Sequence, residues 1–196
     1  MKKLSVSVVT FAGVLALAAA AWAAKPADAE KPASSPASVV YDADSAFEFL
    51  KTLAGDWDRD SSGHQHGSKA HGTTFRVSAA GSAVVETIFP GQKSEMITVY
   101  HRNGKDLLLT HYCALWNAPV MKFEKTDKPG EIKFAFEGGT NFDPAVDTHV
   151  HEGAFLIKDA NTIEATFVSF ANGKANPGGR SVLKRKSAES SVTQKN

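Results

Sequence analysis

Apolar residues follow two rhythms along this chain, and the rhythm changes at Gly55. Before it, Ala46, Phe47, Leu50, Leu53 and Ala54 recur at intervals of three and four, and Ser45 stands three residues ahead of Glu48 in capping-box spacing. That pattern predicts a short amphipathic helix ended by Gly55. After it the period shortens to two. In 132–137, Ile132, Phe134 and Phe136 fall on one face and Lys133 and Glu137 on the other, as a half-buried antiparallel strand requires. Further strand candidates lie at 73–78, 83–89, 96–101, 107–113, 120–125, 149–158, 162–170 and 181–185. Turn signals separate many of them, including Ala80-Gly81, Pro90-Gly91, Lys128-Pro129-Gly130 and Asn172-Gly173, and Asn103-Gly104 is the strongest hairpin signal. With the segment that holds Trp57, the count is about ten strands, an all-β meander after one helix. Without βαβ spacing, a single closed, antiparallel up-and-down barrel is favoured, because closure removes the edges a meander leaves exposed; a two-sheet sandwich is the alternative. A helix with one apolar stripe, placed just before the first strand, suits a plug for one open end.

The two ends of the chain read differently. Met1-Lys2-Lys3, the apolar run from Val8 to Leu17 and the small-residue close Ala21-Trp22-Ala23-Ala24 make 1–24 a signal peptide cleaved after Ala23 or Ala24. The run is short for a span of about 20 residues. No cysteine stands near the cleavage site, so the expectation is a periplasmic or secreted protein without a lipid anchor or stable membrane insertion. Residues 25–43, rich in Ala, Pro and Ser, read as a flexible tether, 44–186 as one barrel domain and 187–196 as a disordered tail.

Charge narrows the partners. The chain has 22 basic and 21 acidic residues, and loss of Lys2 and Lys3 leaves 20 basic, so neither a nucleic-acid footprint nor a polybasic membrane patch is present. Cys113 is the only cysteine, so the fold has no internal disulfide and its core must hold it. A domain of about 140 residues can bury roughly two thirds of its unfolded surface without one.

Candidate chemistry centres on histidines. In 107–113, His111 and Cys113 share the face of Leu107 and Leu109, so an inward face would put an imidazole and a thiol in the interior. A Cys-His nucleophilic pair is one reading. A cysteine acting as a small apolar residue beside a hydrogen-bonded histidine is favoured, because no third group is identifiable. His149 and His151, one residue apart on a strand, project about 6.6 Å apart and could share a metal with His111 or Asp147; polar residues at a barrel mouth are the plainer reading. His64, His66 and His71 read as a solvated loop more than as a metal trap, and 138–147 as the longest irregular piece, without the ligand order of a calcium loop. No Gly-x-Ser-x-Gly elbow, phosphate loop, dinucleotide fingerprint, His-Glu-x-x-His or Cys-x-x-Cys-His motif is present, which lowers the case for an enzyme.

Gly55-Asp56-Trp57 after the helix resembles the entry to a calycin barrel, the fold of lipocalins, fatty-acid-binding proteins and nitrobindins. In such barrels the tryptophan packs across the closed end. The runs Gly81-Ser82-Ala83-Val84-Val85-Glu86-Thr87, His111-Tyr112-Cys113 and Gly138-Gly139-Thr140-Asn141 resemble a group of uncharacterised exported bacterial proteins. Lipocalins and fatty-acid-binding proteins imply a small apolar ligand, although this chain lacks the lipocalin disulfides and a clear arginine pair for a fatty carboxylate. Nitrobindins imply haem on a histidine, for which His111, His149 and His151 are the candidates. The expectation is an exported, calycin-like barrel that binds a small apolar molecule, with Trp57, Leu109, His111, Tyr112, Phe134 and Phe136 as ligand-binding residues. The alternatives are a divalent-metal or haem protein using His111, His149 and His151, with redox or isomerase chemistry, and a structural envelope protein whose barrel is filled by its own side chains.

Overall fold

The computed structural model describes residues 35–60 and 72–187. The expected signal peptide, the His64, His66 and His71 loop and nearly all of the C-terminal tail lie outside the described residues. Within them, helix α1 (Ala43–Thr52) precedes ten strands: β1 (Gly55–Asp60), β2 (Thr73–Ser78), β3 (Ala83–Ile88), β4 (Met96–Asn103), β5 (Asp106–Tyr112), β6 (Ala118–Glu124), β7 (Glu131–Thr140), β8 (His149–Asp159), β9 (Thr162–Ala171) and β10 (Lys174–Arg185). Each pairs antiparallel with its sequence neighbour, and β1 pairs with β10 to close a ten-stranded barrel.

Most strand ends fall within two residues of those expected, but β7 and β10 run much further. Glycines explain both. Gly138 and Gly139 read as loop, yet they continue β7 to Thr140, and the irregular stretch starts only at Asn141. The last strand was expected only from Ser181, yet β10 begins at Lys174 and takes in Pro177, Gly178 and Gly179 at a bulge between Pro177 and Arg180. A Cβ at Gly178 would overlap the Phe167 carbonyl, so here glycine marks a close approach of two backbones and not the end of a strand.

The helix also starts earlier than expected. Its N-cap is Asp42, whose carboxylate accepts the Ser45 N–H at 2.8 Å, while the Asp42 N–H donates to Ser45 Oγ at 2.9 Å. Ser45 is therefore the third helical residue of the box and not its cap. The chain from Ser35 to Asp42, expected as tether, is packed. Tyr41 is buried and donates its hydroxyl to the Pro36 carbonyl at 3.0 Å, and the Gly130 N–H donates to the Val39 carbonyl at 2.8 Å. Val39 and Tyr41 supply apolar surface that the Ala-Pro-Ser stretch before them lacks.

α1 places Ala46, Phe47, Leu50 and Leu53 in the same core as Trp57, Phe75, Leu107, Ile132, Ile157, Ile163 and Leu183. The helix thus fills one end of the barrel. Trp57 is fully buried, donates its Nε1–H to the Leu53 carbonyl at 2.8 Å and meets Phe75 edge-on at 6.2 Å. Arg185, its registered neighbour across the β1/β10 seam, lies over the indole ring at 4.4 Å. The same guanidinium donates to the Ala54 and Thr52 carbonyls, both at 2.8 Å, and so serves acceptors that the end of the helix leaves open. Replacing Arg185 with Met should lower unfolding free energy by about 2 kcal/mol in urea titration, given two charge-assisted bonds at a partly solvated site. Trp57→Ala, which removes the ring that both helix and seam pack on, should cost about 4 kcal/mol.

Candidate functional site

The barrel is filled at one end and hollow at the other, and the change occurs along five of the strands. On β5, Leu107 is buried in the filled end while Leu109 and His111 line a cavity; on β7 the same change separates Ile132 from Phe134, on β8 Ile157 from Phe155, on β9 Ile163 from Ala165, and on β10 Leu183 from Ser181. The cavity measures about 850 Å³, within the range of sites that enclose a small molecule. Its wall is mostly apolar, from Ile88, Met96, Leu109, Met121, Phe134 and Phe155.

One side of the wall is polar. The register sets Glu86 on β3 opposite Thr98 on β4, and Thr98 opposite His111 on β5, in one row across three strands. Glu86 accepts the Tyr100 hydroxyl at 2.7 Å and stands 3.5 Å from Nη2 of Arg59, an ion pair longer than a good hydrogen bond. Arg59 also donates its Nε–H to Thr73 Oγ1 at 3.0 Å and lies over the Phe89 ring at 5.6 Å. Burial pushes the Glu86 carboxyl up, and the Arg59 charge opposes it. Burial pushes Arg59 down against the pull of Glu86, and the Tyr100 phenol is held well above its ordinary range by burial and by the Glu86 charge. His111 joins Thr98 Oγ1 through Nδ1 at 2.9 Å, and burial lowers its pKa from 6.5 to about 4, so the ring is neutral near pH 7.

Of the residues expected to bind ligand, Leu109, His111 and Phe134 line the cavity. Trp57 lies in the filled end and takes no part in the wall. Tyr112 is 54 % exposed and outside the cavity, because it follows His111 on a strand and alternation turns the two to opposite faces. Phe136 is outside the cavity wall as well. It joins a cluster of rings with Phe142, His149 and His151, stacking on His151 at a centroid distance of 4.6 Å. Cys113 lines the cavity, but the hydrogen bond of His111 goes to Thr98 and not to the thiol. Arg59, Glu86, Thr98 and Tyr100 were missed. The one sequence signal for them was period-two spacing, which puts Glu86 on the apolar face of Val84 and Thr98 on the face of Tyr100.

Among the described residues no three His, Cys, Asp or Glu side chains form a metal-ligating group, so His111, His149 and His151 are not gathered into one. His149 is fully buried, with Nδ1 2.9 Å from the Asp147 carbonyl and Nε2 3.0 Å from Nδ1 of His151. A carbonyl only accepts, so Nδ1 of His149 carries a proton, and its Nε2 shares a hydrogen bond with Nδ1 of His151. A bulge between Val150 and Glu152 puts His151 out of the alternation, and its ring stacks on Phe170 at 3.8 Å. Burial, then the neighbouring His149, hold the His151 pKa below its ordinary value.

In sequence, the chain matches no family model and no curated protein.

His111 gives the site a pH signature. It titrates near 4 in the folded protein and near 6.5 when unfolded, so the unfolded chain binds more protons between those values and stability falls as pH drops through that window. The loss attributable to His111 should be about 3 kcal/mol. It is measured as the difference between wild type and His111→Gln in urea titrations from pH 7.5 to pH 4, a comparison that cancels the opposite contribution of Glu86.

Proposed function

We propose that this protein is an exported, calycin-like barrel that carries one small, largely apolar molecule in its interior. The observation behind this reading is the cavity of about 850 Å³, whose apolar walls supply affinity and whose polar groups supply orientation. Gly55-Asp56-Trp57 supports the calycin likeness, since Trp57 packs where the helix closes the barrel. Ten strands exceed the eight of lipocalins, so the likeness is to calycin barrels in general. The basic head, short apolar run and small-residue close at 1–24 support export to the periplasm or beyond. A cavity of this size counts against a barrel filled by its own side chains. A neutral, uncharged-headed dye such as Nile red should bind one per barrel, and Gly153→Phe should weaken it at least tenfold. Gly153 lines the cavity, and a Cβ there meets the Thr166 carbonyl oxygen at 4.0 Å, an ordinary contact, so the variant should remain folded. Unaltered dye affinity in a folded Gly153→Phe variant would count against an internal site.

A haem-binding reading has one observation in its favour. His111 is a neutral imidazole in the cavity wall whose Nδ1 is held by Thr98, the arrangement that orients a ligating histidine with Nε2 left for iron. Haem added to the purified protein should then give a Soret band that His111→Ala abolishes; no band in wild type removes this reading.

A further inference from the structure

The cavity's charges say what kind of head its ligand carries. The described lining has one cation, Arg59, and two carboxylates, Glu86 and Asp60. Arg59 is already engaged: Thr73 takes its Nε–H, and Glu86 faces its Nη2 at 3.5 Å. Glu86 is 3 % exposed, and its second oxygen holds the Tyr100 hydroxyl. An anionic head entering this wall would lose its hydration, find the one cation paired with a buried anion, and face a second carboxylate at Asp60. A cationic head would find Glu86 occupied by Arg59 and Tyr100, and Asp60, which is exposed, would give it only a solvent-screened partner.

The wall offers something better to a neutral group. The hydrogen bond between His111 and Thr98 uses only Nδ1 of the ring. The Thr98 hydroxyl can donate to that nitrogen or accept from it, so either tautomer is supported, and Nε2 can accept from a hydroxyl or donate to a carbonyl. Leu109 on the same strand, with Met121 and Phe134 on β6 and β7, provides the apolar wall beyond it. Resting on the carrier reading above, we propose that the barrel selects uncharged ligands, an apolar body with a hydroxyl or carbonyl head hydrogen-bonded to Nε2 of His111, and rejects the carboxylate of the same body.

The test is displacement of Nile red from the wild-type protein at pH 8 by a matched series: dodecanol, dodecanoate, dodecylamine and dodecane. Dodecanol should displace the dye at a concentration at least tenfold below that of dodecanoate or dodecylamine. His111→Phe should bring dodecanol to the level of dodecane measured on the same variant, and Glu86→Gln, which frees Arg59, should improve dodecanoate. Dodecanoate or dodecylamine displacing as well as dodecanol overturns the inference, as does a series without preference for any head; in both cases displacement itself still supports a carrier. Failure of the dye and of all four compounds to bind overturns the carrier reading and this inference together. The wild-type series decides the question even if a variant does not fold.

Discussion

The barrel depends on the contact between Trp57 and Arg185. These two residues are opposite one another where the first and last strands meet, the pairing in this sheet whose partners are furthest apart in sequence. Closing that seam costs the most chain entropy of any strand pair, because nearly the whole domain forms the loop between them. The indole and guanidinium reward closure with several interactions at once: a cation over a ring, two bonds from Arg185 to the end of α1, and one from Trp57 to Leu53. The same side chains therefore join β1 to β10 and seat the helix across the barrel end.

With that end plugged, the rest of the interior is free to be hollow. Leu50, Leu53, Trp57, Leu107, Ile132, Ile157, Ile163 and Leu183 form a dense core without a disulfide, as a chain with a single cysteine requires. Stability concentrated there lets the other end keep a cavity and a group of buried polar residues, both of which cost stability. The polar group is tolerated because its members satisfy one another: Arg59 with Thr73 and Glu86, Glu86 with Tyr100, and Thr98 with His111. That mutual satisfaction also removes net positive charge from the wall, so the arrangement that makes the residues affordable to bury also shapes what the cavity can hold.

Much of the fold was legible in local patterns. The switch from intervals of three and four to a period of two marked α1 and the strands, and the even spacing of turns argued for closure. The face shared by Leu107, Leu109 and His111 was readable, and it does point inward. What failed were places where glycine or a bulge replaces the ordinary rule. The last strand was read as starting only at Ser181, because the sequence does not show that the Phe167 backbone comes close against Gly178. The meeting of His149 and His151 on one face was readable, while the bulge beside His151 leaves no local trace. Tyr112 was a different case: the alternation that placed His111 inside already required Tyr112 to face out.

The sequence by itself determined the elements and their faces, since hydrophobic periodicity is set by the geometry of a single helix or strand and can be read without knowing what lies beside it. It also determined that no disulfide supports the core. Only the tertiary structure decided which half of the barrel is filled, and that Arg59, Glu86, Thr98, Tyr100 and His111 meet on one wall. Those residues come from β1, β3, β4 and β5, and their meeting depends on the register of each strand with the next. Register is a relation between separate segments, and a one-residue slip would send the same side chains to the opposite face.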